Sequence, residues 1–192
     1  MAVHPALQSS ESAEWYTPAT YIEAARQVLG SIELDPASCE LANLTVKASR
    51  YYDVYAHGLH QSWHAATIWL NPPYGREKDN QSSQEVWTCK LIAEYETGHV
   101  AQAILLVNAS TSTGWFQRLW NYPICFTDHK IRFYNERVAA SQPTHGNAFV
   151  YFGKMQTRFI EVFTRFGVVI TPNGVHRAAT TSSLWDLESE AS

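Results

Sequence analysis

The sequence has few charged residues, few cysteines and no long apolar run. Charged residues make up 17% of the chain and the formal net charge is −4, so the chain lacks the overall basic excess usual in proteins that bind duplex DNA. Cys39, Cys89 and Cys125 form no close pair, which favours a reduced, cytoplasmic setting. No apolar stretch approaches the roughly 20 residues that span a bilayer, and the first residues lack a secretory pattern, so we expect no membrane segment.

Glycine is also scarce, and no Gly-x-Gly turn follows the first predicted strand. Residues 31–38 alternate into a strand that ends in Asp35-Pro36, and Ser38-Cys39-Glu40 stands where many cofactor-binding sheets have glycines. The segment therefore predicts a carboxylate at the end of a strand, but no glycine-rich cradle.

The charged residues are unevenly distributed along the chain. Residues 1–113 have a net charge of −6, residues 114–177 of +5, and residues 178–192 of −3. Lys130 and Arg132 flank Ile131 at strand spacing, which puts both cations on one face just before the polar stretch 135–147. The basic segment is therefore a candidate surface for phosphate groups.

Asn71-Pro72-Pro73-Tyr74 is the most informative motif, and it directly follows the apolar run 66–70. Proline has no backbone N–H and restricts the residue before it, so the pattern predicts a buried strand that ends at Asn71. In open α/β sheets, ligands bind at the carboxyl ends of strands. The simpler alternative is an ordinary Pro-Pro turn with a surface tyrosine.

The motif suits methyl transfer to a planar amino nitrogen, which is a poor nucleophile because its lone pair is delocalised. The Asn71 side-chain oxygen and the Pro72 carbonyl could each accept one N–H, with Pro73 restricting the orientation of that carbonyl. Tyr74 offers a flat face on which an extruded base could stack.

A second motif lies upstream, where Trp15-Tyr16-Thr17-Pro18 precedes a helical pattern. Apolar residues recur at helical spacing between Tyr21 and Leu29, and Gly30 follows as a stop. Thr17-Pro18 is typical of an N-cap with proline at the first helical position.

The run Trp-Tyr-Thr-Pro, Leu-Asp-Pro-Ala-Ser and Leu-Asn-Pro-Pro-Tyr-Gly resembles the phage-type DNA adenine-N6 methyltransferases, over roughly residues 14 to 170. The resemblance implies S-adenosyl-L-methionine as the cofactor and the tetrapeptide as the catalytic motif. It also implies a cytoplasmic enzyme encoded by a phage or prophage. The family usually has an acidic or amide residue just before its Gly-Leu pair, where this chain has His57 before Gly58-Leu59, and Asp53, a few residues earlier, is a candidate for that role. The cofactor residues implied by position are Tyr16, Thr17, Pro18, Asp35, Pro36, Ala37 and Ser38.

Candidate DNA contacts come from three places. Arg76 and Lys78 lie in the polar loop 75–83, Trp115 follows a turn after a predicted strand, and Lys130 and Arg132 lie in the basic segment. No metal is expected, because Gly58 interrupts the alignment of the nearby histidines and no carboxylate or cysteine stands at ligand spacing.

The order of elements predicts an α/β fold. We expect one domain over residues 14–177, flanked by residues 1–13 and by an acidic, flexible tail, 178–192. Its sheet should be doubly wound, mostly parallel and of the Rossmann-like methyltransferase type, with a late antiparallel strand. The short spacing between Asp35 and Asn71 leaves room for one abbreviated helix and strand, so the sheet should be trimmed there.

The leading hypothesis is adenine-N6 methylation of DNA by base flipping and direct transfer, with no partner assigned besides DNA. A protein glutamine-amide methyltransferase is an alternative, because a planar amide poses the same chemical problem. A catalytically idle DNA-binding or inhibitor protein is another. The chain is too short for a separate recognition domain, so we expect a short or relaxed target sequence.

Overall fold

The computed structural model describes residues 15–77, 79–134 and 145–177. Both predicted flanking segments, the candidate Lys78 and most of the polar stretch 135–147 lie outside these residues.

One eight-stranded sheet has the order β2-β1-β3-β4-β6-β5-β7-β8. The strands are β1 Leu34–Asp35, β2 Arg50–Tyr51, β3 Ala65–Leu70, β4 Val100–Asn108, β5 Ile124–Thr127, β6 Asn147–Phe152, β7 Gly167–Thr171 and β8 Gly174–His176; the α-helices are α1 Ala19–Leu29, α2 Glu40–Val46, α3 Ser83–Glu96, α4 Gly114–Gln117 and α5 Gln156–Phe163.

Helix α1 forms where the apolar periodicity predicted it, and Tyr21, Ile22 and Leu29 are buried. Gly30 ends the helix with a φ of 83°, in the left-handed region that favours glycine. The predicted cap is wrong, because Pro18 is the flanking residue and no side chain caps the helix. The Thr17 hydroxyl instead contacts Asn71, as described below.

The first half of the sheet is parallel and trimmed as predicted. β1 pairs in parallel with β2 and β3, and β3 pairs in parallel with β4. Only the seven-residue α2, the two-residue β2 and a short 3₁₀ turn at Gly58–His60 lie between β1 and β3. Strands β1, β3 and β4 therefore end on one side of the sheet, which we call the carboxyl edge.

The second half of the sheet is antiparallel, so the prediction of a mostly parallel sheet is wrong there. Among the described residues four of the seven strand pairings are antiparallel. β5 ends and β6 begins at the carboxyl edge, so β6 must run opposite to its neighbours β5 and β4. All of β6 is buried, and a continuous apolar run carries no information about strand direction.

Helices cover both faces of the sheet, because strand side chains alternate between the two faces. Trp69 of β3 packs in a core with α1 and α5, whereas Ile68 and Leu70 pack in a second core with α3 and α4. Among the described residues no helix is long and apolar enough to cross a membrane.

Candidate active site

Four polar residues lie at the carboxyl edge, each at the end of a different strand. Asp35 ends β1, Asn71 directly follows β3, Asn108 ends β4 and Asn147 begins β6. Asn108 and Asn147 pair directly in the sheet. The edge thus gathers carboxamide and carboxyl groups from residues that are far apart in the sequence.

Asn71 is held by the segment that precedes α1. Its Nδ2 donates to the Trp15 carbonyl at 3.1 Å and to Thr17 Oγ1 at 3.2 Å. Both amide hydrogens are therefore used, and this fixes which end of the amide points into the site. The remaining atom, Asn71 Oδ1, is buried and has no hydrogen-bond partner among the described residues.

An unpartnered buried acceptor marks a place where a donor is missing. Leaving such a group unsatisfied costs about 1–3 kcal/mol, so most buried polar atoms in native proteins are paired. Asn71 Oδ1 lies at the end of a strand, where ligands bind. An incoming N–H would satisfy it.

Tyr74 is half-buried beside the same edge. Phe133 meets its ring edge-on, with ring centroids 6.1 Å apart and an interplanar angle of 71°. Burial raises the pKa of the Tyr74 hydroxyl to about 12, and the nearby Asn147 side chain opposes this rise. Tyr74 is therefore a neutral aromatic ring at physiological pH, suited to stacking rather than to proton abstraction.

Asp35 is only 2% exposed. Burial raises the pKa of its carboxyl to about 7, although the Ser38 side chain and the Ala37 N–H, which donates to Oδ1 at 3.3 Å, both lower it. Ser38 Oγ completes no hydrogen bond of normal geometry among the described residues and is itself buried. The end of β1 therefore has a carboxyl and a hydroxyl that folding leaves incompletely paired.

The 3₁₀ turn at Gly58–His60 packs directly against this segment. A Cβ atom at Gly58 would lie 2.0 Å from the Pro36 carbonyl oxygen and 3.0 Å from the Trp87 ring. Only glycine permits this approach, which brings residues after β2 onto the turn after β1.

The chain was compared with models of known protein families. The model of the DNA N-6-adenine-methyltransferase (Dam) family matches residues 5–167. The chain belongs to this family. Membership in the Dam family implies methylation of adenine N6 in DNA, with S-adenosylmethionine as the methyl donor. No curated protein matches the chain.

The residues at the end of β1 are chemically suited to bind S-adenosylmethionine, the methyl donor of the Dam family. S-adenosylmethionine carries an amino group, a carboxylate and ribose hydroxyls, and Asp35 and Ser38 offer a buried carboxyl and an unpartnered hydroxyl. Pro36 and Ala37 connect them. These four residues and Pro18 remain predictions as cofactor contacts.

Three predicted cofactor residues have structural partners in this fold. Tyr16 forms an antiparallel bridge with Tyr134, and its hydroxyl lies 3.7 Å from Cys39 Sγ. Asp53 Oδ1 accepts the backbone N–H groups of Tyr55 at 3.0 Å and Ala56 at 2.8 Å, so this oxygen stabilises a turn. Thr17 binds Asn71, which connects the predicted cofactor segment to the catalytic motif.

The candidate DNA contacts separate into surface and core residues. Lys130 and Arg132 are exposed on either side of the buried Ile131, in a segment that forms no strand, and their contact with DNA stays a prediction. Arg76 bonds back to the Asn80 carbonyl at 2.7 Å, within its own loop. Trp115 is 7% exposed and packs in the core with α3, and its contact with DNA stays a prediction.

The sequence analysis missed Asn108, Asn147 and Gln84. Asn147 Nδ2 lies 3.5 Å from Asn108 Oδ1, and the Asn108 N–H donates to Gln84 Oε1 at 3.1 Å. Each asparagine is a polar residue at the end of an apolar strand, which is the signal that could have identified it. The described residues contain no group of three His, Cys, Asp or Glu side chains placed to hold a metal ion.

Proposed function

We propose that the chain methylates adenine N6 by extruding the base into a pocket bounded by Asn71, Pro72 and Tyr74, with direct in-line transfer. The observation that supports this most strongly is the buried, unpartnered Asn71 Oδ1, whose orientation is fixed through Nδ2. A duplex hides N6 within its base pair, so a base must leave the stack to reach a buried acceptor.

In this mechanism the protein supplies acceptors, orientation and a stacking surface. Asn71 Oδ1 and the Pro72 carbonyl accept the two N6 hydrogens, which turns the nitrogen lone pair towards the methyl group. Bound S-adenosylmethionine supplies an electrophilic methyl group on a positively charged sulfur. As N6 bonds to the methyl carbon, the bond from that carbon to sulfur would break and leave a neutral thioether. N6 would carry a positive charge, which both oxygens stabilise, until it releases one proton to solvent. Tyr74 holds the base plane.

Direct transfer requires no covalent intermediate with the enzyme. Among the cysteines, burial raises the pKa of the Cys125 thiol to about 12, so this group is neutral and unreactive. Cys39 accepts the Ala42 N–H at the start of α2, which is a structural role. Neither of these two thiols is placed as the nucleophile that a covalent mechanism would need.

We propose that DNA phosphates contact the exposed face of Lys130 and Arg132. These residues follow β5, which ends at the carboxyl edge, and they directly precede Phe133, which contacts Tyr74. A phosphate held there would lie close to the site where the base is received. Arg76 and Lys78 remain predicted contacts from the neighbouring loop.

The other two hypotheses predict different outcomes. A glutamine-amide methyltransferase would use the same acceptors, but the family match supports adenine. A catalytically idle relative would bind DNA without transferring a methyl group. Absence of S-adenosylmethionine binding in calorimetry would support the idle relative.

The deciding experiment incubates the purified chain with unmethylated plasmid DNA and labelled S-adenosylmethionine, and then sequences the methylated bases. We expect N6-methyladenine in a short or relaxed sequence context. Label in protein but not in DNA would support the amide alternative. A strict site of six or more base pairs would contradict the specificity that we propose.

A further inference from the structure

Three side chains form a hydrogen-bonded chain between α1 and the residues that follow β5. The Tyr21 hydroxyl lies 2.7 Å from His129 Nε2, and His129 Nδ1 lies 2.6 Å from Asp128 Oδ1. Because a carboxylate can only accept, Nδ1 carries the proton of the neutral ring, and Nε2 accepts the Tyr21 O–H. Both ring nitrogens of His129 therefore have partners within the protein.

The tyrosine end of this chain lies in the core. Tyr21 is 6% exposed, and its ring centroid lies 5.4 Å from that of Phe149 and 4.9 Å from that of Phe166. Burial raises the pKa of the Tyr21 hydroxyl, and the Asp128 charge raises it further, so the hydroxyl keeps its proton. The histidine end is exposed, so the contact ties a surface segment to a packed helix.

That surface segment, residues 128–133, contains the two proposed phosphate contacts and no helix or strand. Lys130 and Arg132 are both exposed on it. Directly after the segment, Tyr134 exchanges two backbone hydrogen bonds with Tyr16, at 2.9 and 3.2 Å. Because the segment has no regular backbone pairing of its own, the positions of the two cations depend on contacts near its ends.

We propose that Tyr21 and His129 are positioning residues for DNA binding, which hold segment 128–133 where its cations meet the phosphates. This inference rests on the proposed phosphate contacts of Lys130 and Arg132. His129 directly precedes Lys130, so a histidine held from α1 restrains the backbone that carries this cation. A segment that is ordered before DNA arrives loses less conformational freedom on binding.

The salt dependence of DNA binding tests the inference, because its slope counts the phosphates that a protein contacts. Affinity for a fluorescently labelled DNA duplex is measured by anisotropy over a range of salt concentrations. The variants are Tyr21→Phe, the pair Lys130→Gln with Arg132→Gln, and all three changes together. Tyr21→Phe removes one hydroxyl and no charge, and it keeps a ring in the core.

Tyr151→Phe is the matched control. Tyr151 lies in the same core as Tyr21, and its hydroxyl donates to Gln102 Oε1 at 2.7 Å and accepts the Met155 N–H at 2.9 Å. It lies near the end of β6 that is far from the carboxyl edge. This variant should lower the melting temperature and leave the affinity for DNA and its salt dependence as in wild type.

We expect Tyr21→Phe to lower the affinity for DNA about fivefold and to reduce the slope of log affinity against log salt by about one, the loss of one phosphate contact. The paired cation variant should reduce this slope by about two. Adding Tyr21→Phe to the paired variant should change neither quantity further, because Tyr21 acts through the cations.

A wild-type slope in Tyr21→Phe would overturn the inference, and so would an equal loss of slope in Tyr151→Phe. Losses that multiply in the triple variant would overturn it as well. If the paired cation variant binds DNA as wild type does, the proposed phosphate contacts fail and the inference fails with them. Weaker binding in the paired variant together with normal binding in Tyr21→Phe would overturn the inference alone.

Discussion

Asn43 and Asn71 use the same side chain in opposite ways. At the end of α2, Asn43 Oδ1 accepts the Ala48 N–H at 2.8 Å and Nδ2 donates to the Ala48 carbonyl at 3.2 Å. At the carboxyl edge, Asn71 Nδ2 is paired twice and Oδ1 is unpaired among the described residues. Asn43 stabilises a turn with both ends of its amide, whereas Asn71 keeps one end for a partner from outside the fold.

The largest effect should come from Asn71→Ala. Loss of the acceptor should lower kcat for DNA methylation by about 10²–10³-fold or more, because the contact strengthens as N6 gains charge. Affinity for S-adenosylhomocysteine should change little in calorimetry. Near-normal turnover in this variant would contradict the mechanism. Asn71 would then have only a structural role, as Asn43 does.

Asn43→Ala should have the reverse effect. Two hydrogen bonds are lost, so the free energy of unfolding should fall by about 1–3 kcal/mol in urea titrations. Methylation by the folded protein should match wild type at a temperature well below the melting point. A loss of kcat with unchanged stability would show that the α2 turn contributes to the active site.

Thr17→Val tests how the orientation of Asn71 is maintained. The hydroxyl that accepts from Asn71 Nδ2 is removed while the side-chain shape is kept, so we expect kcat to fall about fivefold, a loss of roughly 1 kcal/mol. Thr17→Ser should restore most of the activity. If Thr17 serves only the cofactor, the change will instead appear as weaker S-adenosylhomocysteine binding with kcat unchanged at saturation.

We also expect the stability of the fold to depend on pH. The pKa of Asp35 is raised to about 7 in the folded protein from an ordinary value of 3.8, so the folded state binds the proton more tightly. The Asp35 contribution should therefore be most favourable below pH 4 and should decline as the pH rises to 7. In urea titrations across this pH window, the free energy of unfolding of Asp35→Asn should decline less steeply with pH than that of wild type. Equal slopes would mean that the carboxyl is effectively solvated.

Several features were predictable because they depend on local sequence. Pro72 and Pro73 end β3 wherever the strand lies, and the apolar spacing from Tyr21 to Leu29 buries one face of α1. The short distance from Asp35 to Asn71 limits what can fit between two strands. Each of these conclusions follows from backbone restriction, periodicity or chain length.

Other features depended on long-range contacts. Thr17 has the sequence of a helix cap, but its hydroxyl binds Asn71 instead. Trp115 stands after a strand that ends at the carboxyl edge, yet packing against α3 buries it. β6 is buried throughout, so its direction followed from where β5 ends and not from its own pattern.

The sequence by itself determined that an asparagine, two prolines and a tyrosine stand at the end of a buried strand. The tertiary structure decided which end of the Asn71 amide is available. That choice depends on the Trp15 carbonyl and the Thr17 hydroxyl, 56 and 54 residues away in the chain. The two ends of an amide are nearly the same in shape, so only the surrounding donors and acceptors can distinguish them.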